Sequence, residues 1–394
     1  MKKFVCINLI WLVFLSGCWD IVELDESIMV LGVGLSKTDE NEYNIVVEAT
    51  APSAVAPTEG ASAKGRSILL EVKSKTLFDA AREVIRIAKR RLFFTHAHVW
   101  IIHSDLATDE DVLYFLDILR REQMLRLNSF LFVTDETPKD IFSVAPIFSN
   151  IISEQLTSAM EFVDYVSDYP AVRAREFFRM LLNPIKNGYL PYVRNTLQSN
   201  EIHTEFTGAG IFNEGKLVGK LNLRETFGLL WLNDETQGGN ITISKDGDKT
   251  SFKLLKGKTK IKPHLDGERL QVDIHVKARG KLADQNVRHV ESINEWIKQF
   301  SELIEERIEK DMRHALHILQ HDLKTDATAI GLNVYRKQPD AFKQVSDRWD
   351  EVFADADVRI HVETIILDKG LIERPGYRQE KPLKKNPYQL NKGR

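Results

Sequence analysis

His96 and His98 stand two residues apart, and two imidazoles on one face of a strand could ligate zinc. Zinc needs a third and a fourth ligand. The nearest further imidazole, His103, sits five residues beyond His98, an odd offset that puts it on the opposite strand face. His314, His317 and His321 have the i, i+3, i+7 spacing that converges on one side of a helix. At about 100° per residue they fall nearly opposite the apolar stripe of that helix, so they read as a solvated face. There is no Gly-x-Ser-x-Gly and no His-Glu-x-x-His, and Gly257-Lys258-Thr259 has Phe252 where a phosphate loop needs its first Gly. Carboxylates are plentiful, but no spacing pairs them. No catalytic residue, cofactor or metal ligand is named on these grounds, and the chain is expected not to be an enzyme.

One cysteine offers a different chemistry. Leu15-Ser16-Gly17-Cys18 ends an apolar run that follows Lys2 and Lys3 and holds no charge from Phe4 to Leu15. Those twelve residues reach about 18 Å as a helix, well short of a hydrocarbon core about 30 Å thick. Two positive charges, a short apolar stretch and small residues before a cut make a secretory signal peptide. Leu-Ser-Gly-Cys resembles the bacterial lipobox, in which a diacylglyceryl group is placed on the thiol and the peptide is cut just before it. Cys18 is thus the expected lipidation site, and residues 1–17 the expected signal peptide. Cys6 leaves with it, so no disulfide can form. Losing Lys2 and Lys3 moves the formal charge from −3 to −5, a balance that gives no reason to expect nucleic acid as a partner.

The elements that would carry these residues alternate. Ile28 to Leu35 and Tyr43 to Ala51 read as a hairpin, and Pro52 to Gly65 as a loop rich in Ala, Pro, Ser and Gly. A strand at Ile68 to Val72 precedes a helix that starts on the Thr76/Asp79 capping pattern and keeps apolar spacing to Arg91. A strand at Val99 to Ile102, a helix opened by Asp109 and a strand at Ser129 to Thr134 follow; Thr137 to Leu182 reads as mostly helical, with Asn187-Gly188 at its exit. Beyond about Thr196 the texture changes to short strands. In the last of these, Gln271, Asp273, His275 and Lys277 alternate with Val272, Ile274 and Val276, so that sheet should have one wet face. A long helix from Glu291 to Leu323, a shorter one through Phe342, Val345, Trp349 and Val352, and a strand at Val358 to Val362 close the chain. The expected architecture is α+β, with sheets packed against helices: a mixed α/β domain over 18–196, an α+β domain over 197–370 and a basic disordered tail over 371–394.

Cys18-Trp19-Asp20-Ile21-Val22-Glu23-Leu24, followed by Val30-Leu31-Gly32-Val33-Gly34, resembles the start of the Ger(x)C family, the C-type lipoprotein subunits of spore germinant receptors. The likeness continues through Thr76 to Ala81, Arg91-Leu92-Phe93-Phe94-Thr95-His96 and Arg121-Glu122-Gln123-Met124-Leu125-Arg126. It resumes at Gly208-Ala209-Gly210-Ile211-Phe212, at Glu225-Thr226-Phe227-Gly228-Leu229-Leu230-Trp231-Leu232, and at Tyr335-Arg336-Lys337-Gln338-Pro339 before Trp349-Asp350-Glu351-Val352-Phe353. Single pieces are weak and the ordered set is specific. Ala329 departs from it, standing where the pattern has a second Gly before Gly331.

The resemblance implies a non-enzymatic, lipid-anchored subunit on the outer face of the spore inner membrane, needed for nutrient-triggered germination. Its implied partners are the membrane and the A-type and B-type integral membrane receptor subunits. It also implies three compact domains rather than two. Whether the chain itself binds a small-molecule germinant is left open. Trp19, Asp20, Glu23 and Leu24, directly after the lipid, are the candidate partner or membrane contacts, since an aromatic ring there can rest at headgroup level. The alternative class is a solute-binding lipoprotein of a nutrient import system. That class calls for two similar alternating lobes, which the strand-first second half does not offer.

Overall fold

The computed structural model describes residues 27–50, 67–147, 149–245, 248–286 and 293–368. The apolar, β-branched texture after residue 27 becomes the hairpin β1 (Ser27–Lys37) and β2 (Tyr43–Thr50), joined by β3 (Ile68–Ser74) to form one flank of a sheet. Helix α1 (Leu77–Ala88) starts where the capping pattern predicts, with the Thr76 hydroxyl accepting from the Asp79 amide at 3.1 Å. Then come β4 (Arg91–Phe93), β5 (Val99–His103), α2 (Ser104–Asp109), α3 (Val112–Arg121) and β6 (Phe130–Thr134). Asp109 closes a short helix instead of opening the long one; Asp111 caps α3 by accepting from the Leu113 amide at 2.8 Å.

The segment expected to be helical holds three short helices, α4 (Pro138–Phe142), α5 (Ile152–Glu161) and α6 (Ala174–Leu181). Asn187-Gly188 does not turn there. It begins β7 (Asn187–Gln198), which pairs with β8 (Glu201–Asn213), and β8 pairs with β9 (Lys216–Asn222). Ser199 and Asn200 both take positive φ, the two-residue hairpin geometry that matches strand twist. The resulting nine-stranded sheet runs β3-β2-β1-β5-β6-β7-β8-β9, with β4 beside β1, and residue 196 lies inside it.

Strand β5 is buried along Val99–Ile102 because helices cover both faces, which is why it reads as a continuous apolar run without alternation. Trp100 and Ile102 pack in the cluster that includes α1 and α3, whereas Val99 and Ile101 pack with Phe142, Ile152 and Leu156 from α4 and α5. On the latter side β1 carries Gly32 and Gly34. A Cβ at Gly32 would stand 2.1 Å from Ser153 Oγ and 2.7 Å from Phe142 Cε1, and one at Gly34 would stand 2.2 Å from Pro138 Cβ. The two glycines let α4 and α5 settle directly on the strand. Gly32→Ala should therefore cost about 1–3 kcal/mol through overpacking. A thermal unfolding midpoint equal to that of the parent would show that the helices can shift to accept a methyl group.

After α7 (Leu223–Leu232) the chain forms a second sheet of β10 (Asn240–Lys245), β11 (Asp248–Asp266), β12 (Arg269–Asn286) and β13 (Asp357–Asp368), in that order. Between β12 and its parallel neighbour β13 lie α8 (Ile293–His317), α9 (Ile330–Lys337), α10 (Pro339–Val345) and α11 (Trp349–Ala354). The stripe Phe300, Ile304, Ile308, Met312, Ala315 and Leu319 is buried as its spacing predicts. The α-helical hydrogen bonding ends at His317, however, and the last turn widens into a π-turn at Ile318–Asp322. Val272, Ile274 and Val276 are buried while Lys277 and Arg279 are exposed, so this sheet does have one wet face. The fold is α+β with two sheets packed against helices.

Candidate functional site

Asp326-Ala-Thr328 is a sequence in which an Asp side chain folds back on the backbone two residues on. Asp326 is 1% exposed. Its Oδ1 accepts from the Thr328 amide at 3.0 Å and hydroxyl at 2.5 Å, and its Oδ2 accepts from the Gly331 amide at 2.8 Å and Trp349 Nε1 at 3.0 Å. One carboxyl thus ties the start of α9 to the start of α11. Burial pushes its pKa up to about 6, with the four donors holding it down from higher. The packing requires glycine at 331, since a Cβ there would stand 2.5 Å from Asp326 Oδ2 and 2.8 Å from Trp349 Nε1. Ala329 has φ −80°, a conformation open to any residue, so its departure from the family pattern costs nothing locally.

The neighbouring Asp350 reaches the first sheet. Its Oδ2 accepts from Asn213 Nδ2 at 2.8 Å and its Oδ1 from Asn187 Nδ2 at 3.3 Å, at the paired ends of β7 and β8. Asn213 Nδ2 also donates to Thr325 Oγ1 at 3.2 Å. Asp326, Trp349 and Asp350 therefore form a polar seam between the long sheet and the helices that serve the second one. Sequence reasoning singled out Trp349 as part of an apolar helix stripe and of a resemblance, and Asp350 as part of the resemblance, and missed the seam. The Asp-x-Thr turn was the available signal.

A second buried carboxyl, Glu48 on β2, is the register partner of Gly32 on β1. It accepts from the Ile152 amide at 3.2 Å and the Ser153 amide at 3.0 Å, and also from the Ser153 hydroxyl, so it caps α5 from another element. Burial raises its pKa to about 7. A third, Asp311 on α8, is 1% exposed and held by Arg224 Nε at 2.5 Å and Arg307 Nε at 2.7 Å. Asp311, Arg224 and Arg307, with Asp168, whose pKa burial raises, line a cleft of about 410 Å³.

The imidazoles do not converge. His96 ends a 3-10 turn at Phe94–His96, because the chain kinks between pairing with β1 at Ser27–Met29 and again at Gly32–Leu35; His98 is outside any strand. The shared face expected for His96 and His98 is absent. His103 caps α2 through Nδ1, which accepts from the Asp105 amide at 3.2 Å. His314, His317 and His321 are exposed, with His314 facing Glu225 at 3.2 Å and the His317 and His321 rings 4.7 Å apart. Among the described residues no group of three or more His, Cys, Asp or Glu side chains could hold a metal ion, and no helix is long and apolar enough to cross a membrane. Cys18, Trp19, Asp20, Glu23 and Leu24, together with residues 371–394, lie outside the described residues.

Fold and seam define a two-sheet α+β protein whose halves are joined by half-buried polar contacts. Two family models match it in series: "Spore germination protein N-terminal domain" over residues 20–195 and "Spore germination B3/GerAC like, C-terminal" over residues 207–370. The chain belongs to the Ger(x)C family of spore germination proteins. It is 25% identical to spore germination protein B3 of Bacillus subtilis (strain 168) over 370 residues, covering 92% of this chain and 96% of that one. It is 22% identical to spore germination protein KC of the same organism over 389 residues, covering 93% and 95%. The crystal structure of the GerBC protein superposes with a TM-score of 0.58 at 22% identity, covering 88% of this chain and all of that one, and shares its fold.

Proposed function

We propose that this chain is a lipid-anchored, non-enzymatic C-type subunit of a spore germinant receptor, working through contacts with A-type and B-type integral membrane subunits. The observation that carries the reading is the ordered match of both family models, which together take in nearly the whole chain after Cys18. The lipobox-like Leu15-Ser16-Gly17-Cys18 supports acylation of Cys18, removal of residues 1–17 and a position on the outer face of the spore inner membrane. Two acyl chains supply stable anchoring where one is marginal. The tether confines the folded part to the plane of its partners and raises their effective concentration. Trp19, Asp20, Glu23 and Leu24 are the proposed contacts beside the anchor. Domains over 18–196 and 197–370 remain part of the proposal, with the Asp326–Asp350 seam as the place where a change in one half reaches the other. Two sheets of unlike size and topology weigh against the paired lobes of an import-system binding protein.

Spores carrying Cys18→Ala should lose most of the response to defined nutrients while responding normally to a receptor-independent trigger. Full nutrient germination with a demonstrably unacylated protein would overturn the tethered reading.

A further inference from the structure

We infer that the wet face of the second sheet is a docking surface for an anionic lipid membrane. Antiparallel register sets cation against cation: Lys253 faces Lys281, Lys256 faces Arg279, Lys258 faces Lys277, and Lys260 faces His275. The seven lysine and arginine side chains in these pairs are all exposed. Like charges directly opposite on neighbouring strands destabilise a sheet, and strands about 4.8 Å apart place them inside one screening length. Two acidic side chains offset part of the charge, Asp234 at Lys258 and Glu363 at Lys277. Lys253, Lys256, Lys260, Arg279 and Lys281 have no ion pair among the described residues. A chain of net charge −3 therefore gathers cations along about 20 Å of one sheet face, around a hollow of about 390 Å³ lined by Lys256, Lys258, Lys260, His275, Lys277 and Arg279.

Three features of that face select a lipid surface as its occupant. Six of its seven fully charged groups are lysines, flexible point charges suited to a diffuse array of phosphates, whereas bidentate recognition of single groups favours arginine. Leu255, 44% exposed, is the unpaired residue at the register shift before Lys256, and Leu367, 61% exposed, is the unpaired residue at the shift beside Lys281, so exposed apolar side chains able to enter a headgroup region adjoin these charges. No Phe, Tyr or Trp alternates with the lysines outward along β11 and β12, so the stacking platform that single-stranded nucleic acid uses is missing from these strands. The inference shares with the proposed function the premise that the chain works at a membrane, but the sheet face acts whether or not Cys18 is acylated.

The test uses the chain from residue 18 onward with Cys18→Ser, so that no acyl group contributes, and vesicles of phosphatidylcholine with or without phosphatidylglycerol. The parent should sediment with the phosphatidylglycerol vesicles at low salt and release at high salt. K256E/K260E/R279E should bind at least about tenfold more weakly, and K256Q/R279Q should fall between, with unchanged circular dichroism in both. The inference fails if the variants bind like the parent, if removing residues 371–394 abolishes the binding, or if phosphatidylcholine alone binds equally. It also fails if inorganic phosphate at modest concentration abolishes binding, since that marks a site for a free anion. A germination defect of Cys18→Ala bears on the tether and leaves these vesicle results unaffected.

Discussion

Asp326→Ala should lower the free energy of unfolding by about 3–5 kcal/mol. The substitution removes one carboxyl and leaves the Thr328 and Gly331 amides and Trp349 Nε1 buried without their acceptor. Each stranded donor costs about 1–3 kcal/mol before relaxation, and the losses are not fully additive because the donors share one group. Asp326→Asn retains one acceptor oxygen and should cost less. Trp349→Phe keeps most of the packing and removes one bond, so about 1 kcal/mol is expected. Thermal unfolding followed by tryptophan fluorescence orders the three variants. An Asp326→Ala protein as stable as the parent would mean that the seam is not a structural tie.

Stability should fall by about 4 kcal/mol between pH 5 and pH 8. Glu48 and Asp326 have folded pKa values of about 7 and about 6, raised by burial above the unfolded values of 4.5 and 3.8. A carboxyl raised in the fold adds stability that is fully present below its unfolded pKa and is lost as pH rises through its folded pKa. Asp326 thus loses its contribution from about pH 4 to 6, and Glu48 from about pH 4.5 to 7. At about 1.4 kcal/mol per pKa unit each group carries about 3 kcal/mol in all.

His98 opposes the trend, since burial lowers its pKa and neutralising it with rising pH favours the fold, but its ring is exposed enough to make this the smaller effect. Carboxyls held low by exposed partners, such as Glu71 beside Lys139, contribute above their unfolded pKa and lose that below about pH 4.5, outside the window. Denaturant unfolding at several pH values measures the slope. Glu48→Gln should flatten it above pH 6, and an unchanged slope would show that Glu48 does not titrate there.

Much of this was legible one residue at a time. Thr76 and Asp79 announce α1, the alternation from Val272 to Lys277 announces a half-wet strand, and the heptad-like stripe from Phe300 to Leu319 announces the buried face of α8. These are periodic or local signals, and period is set by backbone geometry. The His96–His98 pairing failed because a three-residue apolar run cannot say whether it continues as a strand; pairing with β1 decided that it turns. Asp109 and Asp111 both suit a helix start, and which one caps α3 depends on Gly215 accepting the Val112 amide across the fold.

By itself the sequence determined the class of the chain, its Cys18 anchor motif and the type of most elements, because these depend on residue order and near neighbours. Only the tertiary structure decided that Glu48 caps a helix about a hundred residues away, that Asp326 ties α9 to α11 while Asp350 reaches the first sheet, and that cations of β11 and β12 face one another. Each depends on strand register and on closure between distant segments. No local pattern encodes those, since a one-residue slip would turn every such side chain to the other face.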